Sequence, residues 1–374
     1  MKQVLYIANI RLPTEKAHGI QIMKTCEALA REGAHITVLI PWRRNNLKED
    51  PFTFYKTDKI FSIKRLFSLD LVFLGKIGFW VQSVTFSVSI LFFILVNMIK
   101  GEKVVYYSRD EYQLLIPILL DQKTIWEAHR GQNNLLVRFV VSNCKHVVVI
   151  SNGLKDLYKS MRKDEILVAP DGVDIEQFSI NEDKMSLRES LGLPKNKQIV
   201  LYTGHLYDWK GARTLADATT RMGSDVLVVF VGGTDNDLAD FKKKYSSLSN
   251  VKILGRKPHE AIPLYLKSSD ILVIPNSAKE DISRLYTSPM KLFEYMASGT
   301  PIVASDLPSI REILNDSNAV FFRPDDVDSL TEAIGSLLKN KEKRERISLQ
   351  ARHDIMGFSW KERAKKICRF VFSG

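Results

Sequence analysis

The sequence is poor in cysteine. Only Cys26, Cys144 and Cys368 occur among its 374 residues. They are odd in number, lie far apart, and show neither CxxC nor Cys/His zinc spacing. This pattern excludes a disulfide-stapled scaffold and a zinc finger. Because unpaired thiols suit a reducing compartment, we expect a cytoplasmic protein.

Several other signals are missing. No RNA-binding signature, zinc-finger pattern or basic heptad array is present, so nucleic acid is not an expected partner. Lys2 is followed at once by a strand-like run, and no signal peptide is expected. The His-Glu-x-x-His spacing of zinc proteases is absent, and we expect neither a metal site nor a cofactor.

What is present is the composition of an ordinary globular protein, 45% hydrophobic and 26% charged, in a chain long enough for two domains. The formal net charge is +11. Such a charge attracts something anionic: a membrane surface, nucleic acid or a phosphorylated substrate. Charge alone does not choose among these partners.

One long segment, Ile77 to Ile99, carries no charged residue and has the length of a membrane span. Polar residues punctuate it, and strand-helix repeats flank it on both sides. We favour a helix half buried in the first domain and half available to an anionic lipid surface, which would make the protein peripheral at the inner face of a membrane. A fully buried core helix and a true span remain the alternatives.

Apolar strand-sized runs alternate twice with helix-length amphipathic stretches, a pattern typical of parallel α/β sheets. The runs predict strands at Gln3–Ala8, His35–Ile40, Val104–Tyr107, Thr124–Glu127, His146–Ile150 and Ile166–Ala169, then at Gln198–Thr203, Asp225–Val231, Val251–Leu254, Ile271–Ile274, Pro301–Ala304 and Ala319–Phe322.

A polar stretch from Ile180 to Gln198 reads as the linker between the two domains. We therefore predict an N-terminal domain over 1–180 and a C-terminal domain over 195–357. The final basic amphipathic segment, 360–374, is expected to pack back on the N-terminal domain.

The segment from Thr287 to Pro301 predicts a short helix with signals at both ends. Thr287 or Ser288 can cap it, Pro289 suits its first turn, and Gly299 with Pro301 stops it. A helix N-terminus offers unpaired N–H groups and a favourable dipole to a phosphate. Lys291 adds a cation there, and Glu294 follows on the same helix face, where a carboxylate can accept bonds from ribose hydroxyls. An exposed surface ion pair is the alternative interpretation.

Loops after other strands of this half point to the same chemistry. Gly204 follows the first strand and permits close approach of a ligand, and Lys210 in the same loop can meet a diphosphate. Gly232 and Gly233 follow the next strand. Ligands of open parallel sheets bind at these carboxyl ends, so the loops are expected to converge.

These segments resemble the family 4 retaining glycosyltransferases of GT-B fold. In family order the resemblance rests on YTGHLYDWKG, VVFVGG, LGRKPHEAIPLYLKSSDILVIPNS and TSPMKLFEYMASGTPIVASDLPSIREIL, roughly residues 202 to 314. The branch with a Ser-Pro-x-Lys-x-x-Glu-Tyr-Met-Ala motif is the more similar one. The first half agrees more loosely through HGIQIMKTCEALAREGAHITVL, WEAH, VVVISNGL and PDGVDIEQF.

The resemblance implies an α/β GT-B protein, with two Rossmann-like doubly wound parallel-sheet domains facing a central cleft. It implies retaining transfer, without metal, from a nucleotide-diphosphate sugar to a glycan, lipid-linked or other hydroxyl acceptor. The catalytic residues it implies are His129 at the transferred sugar, Lys210 at the diphosphate and Glu294 at the ribose. The donor-binding residues it implies are Lys210 and Glu294, together with Gly19, Gly204, His205, Gly255, Arg256, Thr287, Ser288, Lys291 and Leu292.

Two positions depart from the family pattern. Tyr286 stands where many members have a Glu that contacts the donor sugar, and His205 where many have Arg. Two other functions stay open: a GT-B sugar-nucleotide epimerase, which needs additional acid/base carboxylates, and a catalytically silent, membrane-associated binding module. The sequence does not choose the base, the sugar, the acceptor or the oligomeric state.

Overall fold

A computed structural model describes residues 2–372, without the side chains of Asp235 and Asn236. The chain forms two compact units. The first comprises residues up to Pro170 together with the segment that begins at Trp360, and the second comprises Asp171–Ser359. The last two residues of the predicted C-terminal helix, 373 and 374, lie outside the described part of the chain.

The first unit is built on a parallel sheet of seven strands in the order β3-β2-β1-β4-β5-β6-β7. The strands are Lys2–Ile7 (β1), Ala34–Pro41 (β2), Ser62–Leu66 (β3), Val104–Ser108 (β4), Lys123–Ala128 (β5), His146–Val149 (β6) and Ile166–Val168 (β7). The connecting helices are Ala17–Arg31 (α1), Pro51–Tyr55 (α2), Gly75–Ile99 (α3), Glu111–Leu119 (α4), Leu135–Asn143 (α5) and Asn152–Tyr158 (α6).

The second unit has a parallel sheet of six strands in the order β10-β9-β8-β11-β12-β13. The strands are Gln198–Thr203 (β8), Val226–Val231 (β9), Val251–Gly255 (β10), Ile271–Ile274 (β11), Ile302–Ser305 (β12) and Val320–Phe322 (β13). The helices are Lys184–Ser190 (α7), Ala212–Ala218 (α8), Asp235–Tyr245 (α9), Ile262–Ser268 (α10), Met290–Ser298 (α11), Pro308–Arg311 (α12), Val327–Lys339 (α13) and Lys341–Asp354 (α14).

The central strands are apolar along their whole length. All six residues of β9 and all four of β11 are buried, as expected for parallel strands covered by helices on both faces. In each sheet the strand order reverses beside the first strand, between β1 and β4 and between β8 and β11. Loops that leave these strands in opposite directions open a crevice at their carboxyl ends, which is where ligands of such sheets bind.

Every predicted strand is present, with ends within one residue of the prediction. The sequence did not predict β3, whose residues Ser-Ile-Lys-Arg-Leu are mostly exposed at the sheet edge. An edge strand does not need an apolar run, and charged residues protect it from pairing with other chains. Hydrophobic patterning therefore carries no signal for it.

The boundary between the units differs from the predicted linker. It falls at Pro170, and the following residues already belong to the second unit. Val173 donates its N–H to Phe358 O at 3.0 Å, and Val173 and Phe178 enter the hydrophobic core of that unit. Val173 and Phe178 precede the polar stretch predicted as the linker, and their long-range contacts leave no local signal in the sequence. The final helix, Trp360–Phe372 (α15), returns to the first unit.

Candidate functional site

The donor-site residues predicted in the second half gather around the carboxyl ends of β8, β9 and β10 and the start of α11. Gly19 and His129 belong to the first unit and are described separately below. In the second unit the loops after β8 and β9 touch through glycine backbone. Gly233 N donates to Gly204 O at 3.1 Å, and a Cβ on Gly232 would lie 2.2 Å from that same oxygen. Gly204 itself has φ 121°, a conformation that favours glycine.

Lys210 lies on a short 3₁₀ turn, Asp208–Lys210, in the loop after β8. The turn is tethered because Trp209 O accepts hydrogen bonds from Ser277 N at 3.0 Å and from Ser283 Oγ at 3.3 Å. The Lys210 Nζ lies 3.8 Å from the centre of the Trp209 ring. Burial lowers the pKa of Lys210 to about 7.

Lys291, in the first turn of α11, is buried beside this loop. Its Nζ lies 3.8 Å from the centre of the Tyr202 ring and would lie 3.4 Å from a Cβ on Gly204. Among the residues that the structure describes, this Nζ has no hydrogen-bond partner. Burial, then the charge of Lys210, lowers the pKa of Lys291 well below its usual range, against the opposing charge of Glu294.

These two lysines form a basic pocket, in which Lys291 Nζ lacks a hydrogen-bond partner among the described residues. A buried ammonium without a hydrogen-bond acceptor is costly, and two neighbouring ones repel each other. An anion with several oxygen acceptors would remove both penalties at once. The geometry therefore favours a multiply charged ligand such as a diphosphate.

The start of α11 differs from the prediction. Pro289, not Thr287 or Ser288, occupies the N-cap position, and no side chain of the described residues caps the first turn. Ser288 Oγ instead accepts a hydrogen bond from Asp171 N at 3.4 Å. An uncapped first turn keeps the positive end of the helix dipole available for an anion. The predicted end is confirmed, with Gly299 in the left-handed conformation at φ 67°.

Glu294 lies one turn beyond Lys291 and is largely buried. Its Oε1 is 2.9 Å from His259 Nε2, and His259 is itself about 42% exposed at its side chain. This contact aligns the carboxylate at the rim of the pocket. Patterning did not single out His259, because the contact joins residues 35 positions apart. The neighbouring Leu292 places its side chain in the core, and its N–H donates to Pro289 O.

The remaining donor-site candidates border the pocket. The His205 ring stacks on Tyr207 at 4.9 Å, and its backbone oxygen accepts a hydrogen bond from the Tyr202 hydroxyl. Gly255 ends β10, where its oxygen accepts from Gly232 N at 2.8 Å. Arg256 is exposed just beyond that glycine.

In the first unit, His129 follows β5 and is held by a buried carboxylate. Its Nε2 lies 2.6 Å from Glu127 Oε1. The same oxygen accepts from Gln21 Nε2 at 2.6 Å and pairs with Arg363 of α15 at 2.8 Å, while Tyr107 donates to the other oxygen. Burial opposes ionisation, but Arg363 and the His129 hydrogen bond hold the pKa of Glu127 well below its usual range.

His129 is therefore neutral and oriented. Burial, together with the charge of Arg109, lowers the pKa of His129 to about 4, against the opposing effect of Glu127. Because an ionised carboxylate can only accept, Nε2 carries the proton. The Nδ1 of His129 is then a hydrogen-bond acceptor, as suits contact with a sugar hydroxyl. Arg109 and Arg363 were not identified from the sequence, because their roles depend on contacts between distant segments.

Gly19 lies in the first turn of α1, and the structure gives a packing reason for it. A Cβ there would lie 2.1 Å from Tyr55 Oη and 2.7 Å from Thr14 Cγ2. That tyrosine binds the loop before α1, since its hydroxyl donates to Thr14 O and accepts from Thr14 N, both at 2.6 Å. A phosphate role for Gly19 stays a prediction.

Comparisons with known proteins agree with this architecture. Residues 183–354 match the family of glycosyl transferases group 1. An uncharacterised glycosyltransferase of Methanocaldococcus jannaschii is 26% identical over 232 residues, 59% of this chain and 58% of that protein. A putative teichuronic acid biosynthesis glycosyltransferase of Bacillus subtilis is 24% identical over 52% of this chain and 47% of its own length. The chain thus spans about half the length of these curated relatives.

Solved structures match over nearly the whole chain. Sucrose-phosphate synthase from Thermosynechococcus elongatus superimposes with a TM-score of 0.79 at 18% identity, covering 99% of this chain and 98% of that one. Anabaena HepE, in complex with UDP and glucose, gives a TM-score of 0.79 at 15% identity, covering 100% of both chains. The fold class is therefore confirmed as GT-B.

The class that the structure defines is an α/β protein of GT-B fold, with a basic pocket in its second unit. Part of that unit, residues 183–354, is similar to the glycosyl transferases group 1.

Proposed function

We propose that this protein is a retaining glycosyltransferase. It transfers a sugar from a nucleotide-diphosphate donor to a glycan, lipid-linked or other hydroxyl acceptor, without a metal ion. The observation that carries the proposal is the pocket of Lys210 and Lys291, where burial disfavours both ammonium forms and Lys291 Nζ has no hydrogen-bond partner among the described residues. The two ammonium groups take the place that a divalent cation occupies in other phosphate-transfer sites.

In the proposed reaction the bond between the anomeric carbon and the diphosphate oxygen breaks, and the acceptor oxygen forms its bond on the same face. A phosphate oxygen of the leaving group receives the acceptor's proton. Lys210, Lys291 and the first turn of α11 stabilise the charge that develops on the diphosphate. This route needs no carboxylate nucleophile.

Two further groups position the donor. Glu294 accepts hydrogen bonds from the ribose hydroxyls at the rim of the pocket, next to His259. His129 accepts a hydrogen bond from the transferred sugar through Nδ1, because Glu127 holds its other nitrogen. The buried free cysteines Cys26, Cys144 and Cys368 support placing the protein in the cytoplasm.

A screen of nucleotide-sugars by thermal stabilisation tests the donor site. HepE, a structural neighbour, binds UDP and UDP-glucose, so the panel starts with UDP-sugars and includes GDP- and ADP-sugars. We expect stabilisation by one family of nucleotide-sugars that is lost in Lys291→Met. The exposed Lys339→Met, in the same unit, is the matched control.

Nucleotide release on addition of acceptors then tests the reaction. Thermal stabilisation by a nucleotide-sugar without release of nucleotide, for all glycan and lipid-linked acceptors tried, would indicate a binding module. An isomerised free donor would instead identify an epimerase.

A further inference from the structure

The long helix α3 is inverted relative to an ordinary surface helix: its exposed face is apolar, and polar side chains lie among its buried ones. Seven apolar residues recur at intervals of three or four and form one stripe along the outer face. This apolar stripe comprises Ile77, Trp80, Val84, Val88, Phe92, Leu95 and Ile99, each between 40% and 86% exposed. Within residues 2–372, the stretch Val72–Ile99 is the one helical segment long and apolar enough to cross a membrane.

The opposite face of α3 is fixed in the first unit. Phe86, Ile90 and Ile94 are at most 1% exposed. Polar contacts secure the helix as well, since Asn9 Nδ2 donates to Ser83 Oγ at 2.9 Å. Ser89 Oγ donates to Phe67 O at 2.8 Å. These contacts hold α3 on the first unit, and the apolar stripe on its outer face remains exposed.

A membrane-spanning orientation conflicts with the sheet. The helix connects β3 with β4, and both strands belong to the same seven-stranded parallel sheet. Spanning would require these strands to lie on opposite sides of a bilayer. It would also remove the buried Gln82 and Asn97 from the protein interior. The apolar stripe is accordingly suited to lie along a surface, about 30 Å in length at 1.5 Å per residue.

Charges bordering the stripe select the partner. Between positions 64 and 103 the basic residues outnumber the acidic ones, Asp70 and Glu102, and they are Lys64, Arg65, Lys76, Lys100 and Lys103. All five are exposed. A symmetric contact with a second copy would bring two positive borders together, whereas anionic headgroups would neutralise them. Trp80, which lies edge-on to the exposed Tyr112 at 5.2 Å, is a residue type favoured at membrane interfaces.

We propose that the apolar stripe of α3 lies in the interfacial layer of a membrane that contains anionic lipid, with the basic residues around it at the headgroups. The helix stays packed on the first unit and lies parallel to the membrane plane. Binding combines burial of the stripe with attraction of the basic border. The proposal does not depend on the proposed transferase reaction.

Flotation of the full chain with vesicles tests this surface. We expect co-flotation with equimolar phosphatidylcholine–phosphatidylglycerol vesicles, and much less with phosphatidylcholine alone. Phe92→Glu should lower the bound fraction by about tenfold, because a charge in the centre of the stripe cannot enter the interface. Leu349→Glu, at an isolated exposed leucine of α14, is the matched control and should float like the parent.

A second pair of measurements addresses the charge. The double variant Lys64→Gln, Lys76→Gln should bind anionic vesicles more weakly and with a smaller dependence on salt. Thermal unfolding and nucleotide binding of each variant establish that the units remain folded. A chain that floats but binds no nucleotide-sugar would retain the membrane surface and lose only the transferase proposal.

Three results would overturn the proposal. The first is a parent chain that floats with neither vesicle, and the second is a Phe92→Glu variant that floats as well as the parent. The third is a dimer, seen by sedimentation, that Phe92→Glu dissociates while vesicles are not bound, because a second copy would then cover the stripe. Retention in vesicles through alkaline carbonate extraction would contradict the parallel orientation.

Discussion

Individual side chains of the anion pocket are held in protonation states that a ligand would change. Burial lowers the pKa of Lys210 to about 7 and, with the charge of Lys210, lowers the pKa of Lys291 well below its usual range, so the free protein favours loss of charge at both side chains. A bound diphosphate favours both ammonium forms and raises both pKa values. Ligand binding and protonation are therefore coupled at this site.

The coupling predicts proton uptake on binding. Above pH ~7 free Lys210 loses its proton, so a nucleoside diphosphate should bind with uptake of protons, and its affinity should fall as the pH rises. Calorimetry in two buffers of different ionisation enthalpy measures this uptake directly. Identical apparent enthalpies in both buffers would contradict the pKa assignments.

The same shift has an effect on stability with the opposite sign. The pKa of Lys210 is lower in the folded protein than in the unfolded chain, so between pH ~7 and ~10 the unfolded chain binds more protons. The destabilisation caused by burying Lys210 therefore falls as the pH rises through this range. Lys210→Met should therefore raise the melting temperature of the free protein at neutral pH while weakening donor binding. A merely structural lysine would lose stability instead.

Glu294 is predicted to recognise the ribose. Glu294→Gln keeps the shape of the side chain but removes its charge, and we expect donor binding to weaken by about tenfold to a hundredfold with the domain still folded. Titration with the nucleotide identified in the screen measures the loss. The exposed Glu332→Gln is the control. Unchanged donor affinity in Glu294→Gln would remove the ribose assignment.

His129 is predicted to act on the transferred sugar and not on the nucleotide. His129→Ala should lower turnover on the order of a hundredfold and leave nucleotide affinity near that of the parent. The exposed His35→Ala tests for a general effect of losing an imidazole in the first unit. Equal turnover by the His129 variant and the parent would exclude the residue from the reaction.

At the level of secondary-structure elements, α15 is part of the first unit's buried network, although it comes last in the chain. Its Arg363 pairs with Glu127 and also donates to Pro170 O at 3.0 Å and to Thr25 Oγ1 at 3.2 Å. Helix α15 therefore sustains the ionised carboxylate that orients His129. Loss of Arg363 would leave a buried negative charge poorly compensated.

Arg363→Met should thus destabilise the first unit by about 3–5 kcal/mol. Chemical denaturation followed by tryptophan fluorescence measures the change, with the exposed Arg369→Met of the same helix as control. If Arg363→Met is as stable as Arg369→Met, the remaining hydrogen-bond donors are enough to stabilise the buried Glu127 carboxylate.

The whole molecule is predicted to retain the anomeric configuration of the donor and to work without metal. NMR of the first product formed should show the same anomeric configuration as the donor, and activity should survive excess EDTA, because the lysines and the α11 N-terminus stabilise the leaving group. An inverted product would contradict same-face attack. Loss of activity in EDTA, restored by a divalent cation, would contradict the metal-independent route.

Hydrophobic patterning was sufficient to place every strand with an apolar run, because burial on both faces of a parallel sheet leaves a strong sequence signal. It did not find β3, whose edge position leaves no such signal. Loop chemistry placed Lys210, Lys291 and Glu294 at one sheet end, since parallel strands bring successive loops together. The capping of α11 was predicted wrongly, because several polar residues precede the helix and only the backbone conformation decides which one occupies the N-cap.

By itself, the sequence determined the α/β class, the two sheets and the basic character of the predicted donor pocket, because these depend on local pattern and on residue type. The tertiary structure decided what depends on contacts between distant segments. It joined His259 to Glu294, brought Arg363 from the last helix to Glu127, and left Lys291 Nζ buried without a hydrogen-bond partner among the described residues. It also decided which face of α3 is covered, since the apolar residues of that helix surround its axis and only packing against the sheet selects a buried side.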